Sequence, residues 1–390
     1  MEETRMKKRC LSLLLAAILL LGLKPGLAVL QKPYAEKPSA EVWRSYEPEL
    51  HYYYQLLTPA ERRLFSARYD AVALGDASLW NYLLSSYNWQ NIQKVNFALL
   101  YDCPELMYIP PEMHDTYLSL QAPPAAYCAS HPENMRRMLE ECNKALETIK
   151  QRPEWGDSEY EKQLALDRYL CERCAYGVRP GAVSPLPLSA DERICTAYAA
   201  LREGTANCMG YANAACYALR RFGISCIVNI GTISDQTGHS YGHMWNVVQI
   251  EGRWYHYDPT WNDSYDGALY DDYKPYFNIT TIEIRRTPSP DPAPAQLGFK
   301  NPVCDATACN YYVYNGRMLG EDWQYRLNSM VQYARDNGQR SLGVRFESAQ
   351  LLNEALEFIA SPLNKLNPKW KFTRLRHFTH EDVCLMYFTW

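Results

Sequence analysis

Residues 204–261 read GTANCMGYANAACYALRRFGISCIVNIGTISDQTGHSYGHMWNVVQIEGRWYHYDPTW, and three residue types in this stretch point to one kind of chemistry. Cys208, His243 and Asp258 are the parts of a thiol acyl-transfer centre, in which a base activates a sulfur and a carboxylate orients the base. The chain has 13 cysteines, and a single cysteine is more often a small core residue than a nucleophile. The elements that carry the three residues therefore determine whether they can meet.

The sequence predicts a helix over residues 209–222, because apolar residues recur there at spacings of three and four. Asn207 is suited to cap its first turn, and Gly223 is suited to end it. Cys208 then lies in the first turn, where the helix dipole and unpaired backbone N–H groups favour an anion. We expect the thiolate of Cys208 to be populated near neutral pH and the same N–H groups to help hold an oxyanion.

The segments HMWNVVQI and RWYHYDPTW are separated by two residues, Glu-Gly, which predicts a β-hairpin. If Ile250 faces Arg253, then Trp245 faces Asp258. His243 and Trp245 share a face because side chains alternate along a strand, so Asp258 becomes a diagonal neighbour of His243. Diagonal neighbours lie roughly 7–8 Å apart at the backbone, within reach of an imidazole–carboxylate hydrogen bond. A shift of one residue would place the two side chains on opposite faces.

The segments CMGYA, GHMWNVV and GRWYHYDPTW resemble the core of the transglutaminase-like superfamily, which is itself similar to papain-type cysteine proteases. The resemblance extends over residues 160–286 and is typical of bacterial secreted transglutaminase-domain proteins. It implies an α+β, papain-like core in which the helix carrying Cys208 packs on an antiparallel sheet carrying His243 and Asp258. These residues would be the nucleophile, the base and the orienting carboxylate. Met209 departs from the family pattern, in which many relatives have an acidic residue, and this concerns substrate details more than chemistry.

The resemblance also implies a side-chain oxyanion donor upstream of the cysteine, and Tyr198 is the candidate for that role. Trp245, Tyr211 and Trp261 are candidates to line the cleft. The chemistry needs no metal and no organic cofactor. The pair Cys171–Cys174 has the two-residue spacing of metal and redox sites, but no second pair follows at zinc-ribbon spacing, so a structural role is favoured.

The first 28 residues have the pattern of a secretory signal peptide. A basic head precedes an apolar run over residues 11–23, which is shorter than the about 20 residues that span a bilayer. Residues 26–28 suit a cleavage site, and an uncleaved anchor is the alternative. We therefore expect an extracytoplasmic protein, secreted or attached to the cell surface, with membrane contact only through such an anchor.

The formal net charge of -4 offers no electrostatic basis for binding nucleic acid. A length of 390 residues predicts two or three domains. The predicted divisions are a signal peptide over 1–28, a helical N-terminal lobe over 29–155, the catalytic core over 156–286, a Pro-rich linker over 287–302 and a small α+β domain over 303–390.

In the N-terminal lobe, Thr58 precedes Pro59 and stands three residues before Glu61, which predicts a capped helix start. The segment DCPELMY, residues 102–108, resembles one found ahead of the catalytic core in the same bacterial proteins. Packing is its favoured role, and substrate binding is the alternative.

The stretch after the hairpin has three further patterns. Residues 273–284 have strand-like composition and are expected to close the core sheet. The segment TPSPDPAPAQ predicts an extended, stiff linker. Asn315-Gly316 between aromatic residues predicts a hairpin. The remainder predicts a helix over 321–337, a strand over 342–346, a helix over 349–360 and strands within 370–378 and 383–390.

Three functions remain open from the sequence. The first is acyl transfer from a protein or peptide carboxamide to an amine. The second is peptidase or amidase action on peptides or cell-wall material, with water as the acceptor. The third is a surface module that keeps the fold and only binds. The acceptor is chosen by the shape of the cleft and the access of water, which no residue pattern specifies.

Overall fold

The computed structural model describes residues 48–108, 125–178, 190–234, 239–263, 272–285, 288–290, 293–360, 376–380 and 383–389. The predicted signal peptide lies outside these ranges. Within them, every helix is too short or too polar to cross a membrane.

The N-terminal lobe is helical, as predicted. Thr58 caps the second helix: its side chain accepts the Glu61 N–H, and the Glu61 carboxylate accepts the Thr58 N–H in return. Such a reciprocal pair satisfies two backbone donors that the helix itself leaves open. The helices are α1 (Tyr52–Gln55), α2 (Pro59–Ala73), α3 (Ala77–Ser86), α4 (Trp89–Asp102) and α5 (Ala125–Ile149), with 3-10 turns at Pro48–Leu50 and Pro104–Tyr108.

The region predicted to be the catalytic core is a helix packed on an antiparallel sheet, which confirms the predicted α+β class. The central helix has hydrogen bonds to the sheet, for example from the Asn246 amide to the Ala212 carbonyl at 2.9 Å. The elements are α6 (Glu159–Arg173), β1 (Ala175–Tyr176), α7 (Ala190–Arg193), a π-helical turn (Ala199–Glu203), β2 (Thr205–Ala206), α8 (Cys208–Arg221), β3 (Cys226–Ser234), β4 (Ser240–Ile250), β5 (Arg253–Tyr257) and α9 (Pro259–Asn262).

The register of the β4–β5 hairpin is the predicted one, with Ile250 opposite Arg253. Both loop residues have left-handed backbone angles, with φ of 50° at Glu251 and 74° at Gly252. This is the turn whose twist matches that of the strands. The Glu251 N–H donates to the Glu159 carboxylate at 2.6 Å, and this bond holds a non-glycine residue in an unfavourable conformation. The two-residue loop therefore fixes which side chains share a face.

The strand prediction for residues 273–284 is wrong. Thr281–Ile284 form α10, and the segment reaches the sheet only through an isolated bridge between His256 and Ile279. The physical reason is a second capping box, in which Thr280 and Glu283 satisfy each other's backbone N–H groups. Thr-x-x-Glu is a helix-start pattern, and here it outweighs β-branched composition.

The Pro-rich segment is part of the core sheet rather than only a linker. Pro288–Pro290 form β6, which pairs antiparallel with β3 and gives the sheet order β5-β4-β3-β6. Proline has no N–H to donate, so it is confined to edge strands, and β6 is an edge strand. Ala293–Gln296 then form α11, so the extended conformation expected for the segment does not continue through it.

The hairpin predicted at Asn315-Gly316 is also wrong, because the residues before it form helix α12 (Tyr311–Tyr314). Asn310 caps this helix by accepting the Tyr312 N–H at 3.1 Å. Tyr312 is buried, and its hydroxyl donates to the Asp272 carbonyl at 3.0 Å. Burial of the aromatic residues against the catalytic core thus overrides the local turn signal.

The C-terminal part forms a second four-stranded sheet, of order β7-β8-β10-β9, with its own hydrophobic core. Both predicted helices are confirmed, with bounds of α13 (Trp323–Asp336) and α14 (Ala349–Ala360), as are the strands predicted over 342–346 and within 383–390, which are β8 (Ser341–Phe346) and β10 (Leu385–Thr389). The strand β7 (Met318–Leu319) was not predicted, and β9 (Arg376–His380) extends beyond the range 370–378 in which a strand was expected. Tyr311 and Tyr312 belong to the larger core instead. The division of the chain into domains remains a prediction.

Candidate active site

Cys208 is the first residue of α8 and is partly exposed, so solvent can reach it. It is not joined in a disulfide. The Asn207 side chain caps the helix by accepting the Gly210 N–H at 3.0 Å, as the sequence predicted. Gly210 is required for close approach, because a Cβ there would overlap the carbonyl oxygen of Ile194. The Asn-Cys-x-Gly pattern therefore places the sulfur at the open end of a tightly packed helix.

His243 and Asp258 meet in the way the hairpin register implies. The imidazole Nε2 lies 2.5 Å from the Asp258 Oδ2, and both side chains are buried. The second oxygen of Asp258 accepts the Trp261 N–H at 3.1 Å, so the carboxylate also caps α9. A carboxylate fixed at both oxygens can hold the ring in one orientation and one tautomer.

Cys208 lies near enough to His243 to raise the pKa of its ring, so the three predicted residues are neighbours. Since Nε2 is occupied by Asp258, Nδ1 is the ring nitrogen left for the sulfur. Burial lowers the pKa of His243, but the charge and hydrogen bond of Asp258, with Cys208, outweigh burial and raise the pKa to about 10. The imidazole is therefore protonated at neutral pH, and it places a positive charge beside the Cys208 side chain.

Trp261 is the cleft candidate that the structure places beside the triad. Its ring stacks on the His243 imidazole with centroids 4.4 Å apart and an interplanar angle of 11°. The Trp261 ring in turn contacts the ring of Tyr276, with centroids 4.7 Å apart. Trp261 is half-buried, so it shields one face of the imidazole while remaining within reach of a substrate.

The expectation that Trp245 and Tyr211 line the cleft is wrong. Both side chains are fully buried. The Trp245 indole N–H donates to His256 Nδ1 at 3.0 Å, and the Tyr211 hydroxyl donates to the Asp263 carboxylate. Alternation along β4 correctly placed Trp245 on the face of His243, but other elements cover that face.

Tyr198 is buried and immediately precedes the π-helical turn. Burial raises the pKa of its hydroxyl, and the charges of Glu203 and Glu141 raise it further. Its assignment as the oxyanion donor stays a prediction.

His256 is a buried residue of the site's surroundings that sequence reasoning missed. Burial and the nearby Arg285 lower its pKa to about 3, so the ring is neutral. Nδ1 accepts from Trp245, so Nε2 carries the hydrogen, and it lies 3.2 Å from the Thr281 hydroxyl. The sequence could have predicted this position, because the hairpin register places His256 opposite Val247, on the face that carries His243.

Asp167 is the second feature that was missed. Its carboxylate, fully buried on α6, is paired with Lys274 Nζ at 2.8 Å and accepts from the Tyr257 hydroxyl at 3.0 Å and the Asn262 amide at 2.9 Å. Burial lowers the pKa of Lys274, but the attraction of Asp167 outweighs it and the pKa is raised. The network holds the chain on both sides of Asp258. In the sequence, this network was indicated only by Asp167, a charged residue at an apolar position of the predicted helix.

Comparison with known proteins gives the family of this region. Residues 147–259 match the model of the transglutaminase-like superfamily, which confirms the resemblance seen in the sequence. The matched range contains Cys208, His243 and Asp258. No curated protein matches the chain.

Two solved structures are similar over a limited part of the chain. One is described as a TGase, with 19% identity, a TM-score of 0.26 and coverage of 33% of this chain and 32% of that one. The other is a putative cysteine protease from Cytophaga hutchinsonii, with 15% identity, a TM-score of 0.22 and coverage of 30% and 37%. This chain thus spans about a third of each structure's length, and TM-scores this low carry no argument of their own.

Replacement of Lys274 by Met should destabilise the protein strongly. The substitution leaves the Asp167 carboxylate buried without its cation, which costs about 3–5 kcal/mol. Urea denaturation measures the loss, with Lys300→Met as the control because Lys300 is exposed. Equal free energies of unfolding for the two variants would contradict the structural role of the Asp167 network.

Replacement of Asp258 by Asn should change how stability depends on pH. The His243 pKa lies above its unfolded value of 6.5, so the stabilisation is fully present below pH 6.5 and disappears as pH rises through about 10. Asp258→Asn removes the main charge that raises this pKa. The difference in free energy of unfolding between wild type and Asp258→Asn should therefore be largest near pH 6 and shrink toward pH 10.

The control for this experiment is Asp305→Asn, at an exposed carboxylate paired with Arg253 at 2.9 Å. Its effect on stability should be small and nearly independent of pH over the same range. A difference for Asp258→Asn that grows with rising pH would contradict the assignment of a protonated His243.

Proposed function

Because the chain carries a transglutaminase-like domain, we propose that it is a thiol acyltransferase or hydrolase acting on protein or peptide carboxamide bonds. Cys208 is the nucleophile, His243 the proton carrier and Asp258 the group that orients it. The observation that carries this proposal is the shared imidazole, which is bonded to Asp258 through Nε2 at 2.5 Å and has Cys208 among the groups that raise its pKa. A partly exposed sulfur at the start of a helix supports it.

The first half of the reaction forms an acyl-enzyme. The Cys208 thiolate attacks the carbonyl carbon of the carboxamide, and the carbonyl oxygen becomes an oxyanion. As this intermediate collapses, the carbon–nitrogen bond breaks and the His243 imidazolium gives its proton to the leaving nitrogen. Ammonia leaves from a side-chain carboxamide, and an amine leaves from a peptide bond. The thioester on Cys208 and a neutral imidazole remain.

The second half regenerates the enzyme. The neutral His243 takes a proton from the incoming acceptor, which attacks the thioester and releases the sulfur as a thiolate. An amine acceptor gives an amide, and a lysine side chain would thus give an isopeptide cross-link. Water gives a carboxylic acid. Asp258 stabilises the imidazolium that is present at the start of the first half and forms again in the second.

The backbone at the start of α8 supplies oxyanion stabilisation in this proposal. The Asn207 side chain accepts a hydrogen bond from the Gly210 N–H. Within the described ranges, the Cys208 N–H donates to no acceptor. The first N–H groups of a helix point outward along its axis and carry its positive dipole end. An oxyanion formed at the sulfur of Cys208 lies next to that N–H, which is the geometry that stabilises it.

Export is a further part of the proposal. The basic head and short apolar run at the N-terminus support an extracytoplasmic protein, with peptides or proteins of the cell envelope as the substrates it would meet. A surface module that only binds is the alternative of a different class. If the protein only binds, substitutions of Cys208, His243 or Asp258 should leave any turnover unchanged.

The test is incubation with a glutamine-containing peptide and a labelled primary amine, followed by mass spectrometry. Labelled peptide supports acyl transfer, whereas a deamidated or shortened peptide supports hydrolysis. Cys208→Ala and His243→Ala should each lower turnover by at least about 1,000-fold, because the triad acts as a unit. Cys309→Ala is the matched control, because Cys309 lies outside the triad, and it should retain activity. Turnover that persists in Cys208→Ala would refute the assignment.

A further inference from the structure

A second group of residues with metal-binding chemistry lies in the N-terminal lobe. His51, Cys103 and Glu105 are all buried, and each offers one ligand atom. The three atoms lie within 4.8 Å of one another. His51 precedes α1, Cys103 follows the last residue of α4, and Glu105 lies in the next 3-10 turn. Three separate positions of the backbone thus direct a nitrogen, a sulfur and an oxygen to one point.

We propose that His51, Cys103 and Glu105 bind a zinc ion. Zinc accepts cysteine sulfur, histidine nitrogen and carboxylate oxygen in four-coordinate sites. Magnesium and calcium prefer oxygen ligands, so a sulfur and an imidazole do not suit them. Three protein ligands leave one coordination position, which a buried water can occupy.

The balance of charge favours a divalent cation. A thiolate from Cys103 and a carboxylate from Glu105 together neutralise Zn²⁺, so the ion adds no net charge to the interior. Arg220, whose charge acts on Cys103 and Glu105, also pairs with Asp102 at 3.4 Å and donates to the Cys226 carbonyl at 2.8 Å.

The surroundings hold the ligands in place. The Tyr69 hydroxyl donates to Glu105 Oε1 at 3.1 Å, and metal-bound carboxylates are commonly held by such an outer hydrogen bond. The Cys103 N–H donates to the Leu99 carbonyl at 2.8 Å, which ties the ligand to the end of α4. Pro104 separates the two ligands and fixes the backbone between them.

The position suggests what the ion stabilises. Asp102, next to Cys103, accepts the Tyr54 N–H at 2.8 Å and pairs with Arg220 in the last turn of α8. Zinc at this point would fasten the segment before α1 to the end of α4, and thus fasten the lobe to the nucleophile helix. Cys208 is at the other end of that helix, about 18–20 Å away at 1.5 Å per residue. The zinc site is therefore distinct from the triad.

The experiment uses the full chain carrying Cys208→Ala, so that the triad offers no thiolate. The protein is unfolded with a chelator, refolded with one equivalent of Co²⁺ or Zn²⁺, and passed through a desalting column. We expect one metal ion per chain by elemental analysis and a sulfur-to-cobalt charge-transfer band in the near ultraviolet. Zinc should also raise the thermal unfolding temperature.

Variants separate this site from adventitious binding. Cys103→Ser should abolish the charge-transfer band, whereas Cys142→Ser, at another buried cysteine of the same lobe, should keep it. Tyr69→Phe preserves every ligand and should weaken zinc binding about 10-fold in competition with a chelator. This variant also keeps the test decisive if Cys103→Ser fails to fold. Absence of the band in the parent, its persistence in Cys103→Ser, or unchanged affinity in Tyr69→Phe would overturn the proposal.

Discussion

The contact between His243 and Asp258 is the interaction on which the site depends. It joins a buried ring and a buried carboxylate at 2.5 Å, and its strength comes from the exclusion of water around both groups. The same burial would drive the ring to its neutral form if the carboxylate were absent. Instead the charge of Asp258 outweighs burial, and His243 keeps its proton up to a pH of about 10. A protonated ring beside a sulfur is what the proposed acyl transfer requires.

Two histidines on one face of the sheet show that the protonation state of a buried imidazole depends on the charge beside it. His243 faces a carboxylate and its pKa is raised, whereas His256 lies near Arg285 and its pKa is lowered to about 3. Trp245 lies between them, with its ring 6.0 Å from that of His243 and its N–H bonded to His256. The neutral His256 is thus a structural acceptor, and only His243 is equipped to carry a proton.

The sequence was sufficient for features that short-range chemistry determines. The two-residue loop at Glu251-Gly252 set the register, and the register brought His243 and Asp258 together. Asn207 as a cap placed Cys208 at the start of its helix. The capping box at Thr280 had the same kind of local signal and was overlooked in favour of composition. Local patterns therefore predict well where a cap or a tight turn is present.

What the sequence could not supply is determined by packing between distant segments. The alternation of side chains along β4 predicts which face carries Trp245, but it does not predict that other elements bury that face. Asp167 and Lys274 are 107 positions apart, and only the folded chain makes them partners. Export, the bound substrate and the division into domains remain predictions.

The most direct measurement of the central claim is the rate at which iodoacetamide alkylates Cys208, followed by peptide mass spectrometry between pH 6 and pH 9. If an imidazolium held by Asp258 stabilises the reactive sulfur, Cys208 in the wild type should react at least about 10-fold faster than in His243→Ala near pH 6. The Asp258→Asn variant should fall between the two. Equal rates in all three proteins would contradict the activation of Cys208 by His243 and Asp258, and only the description of the fold would remain.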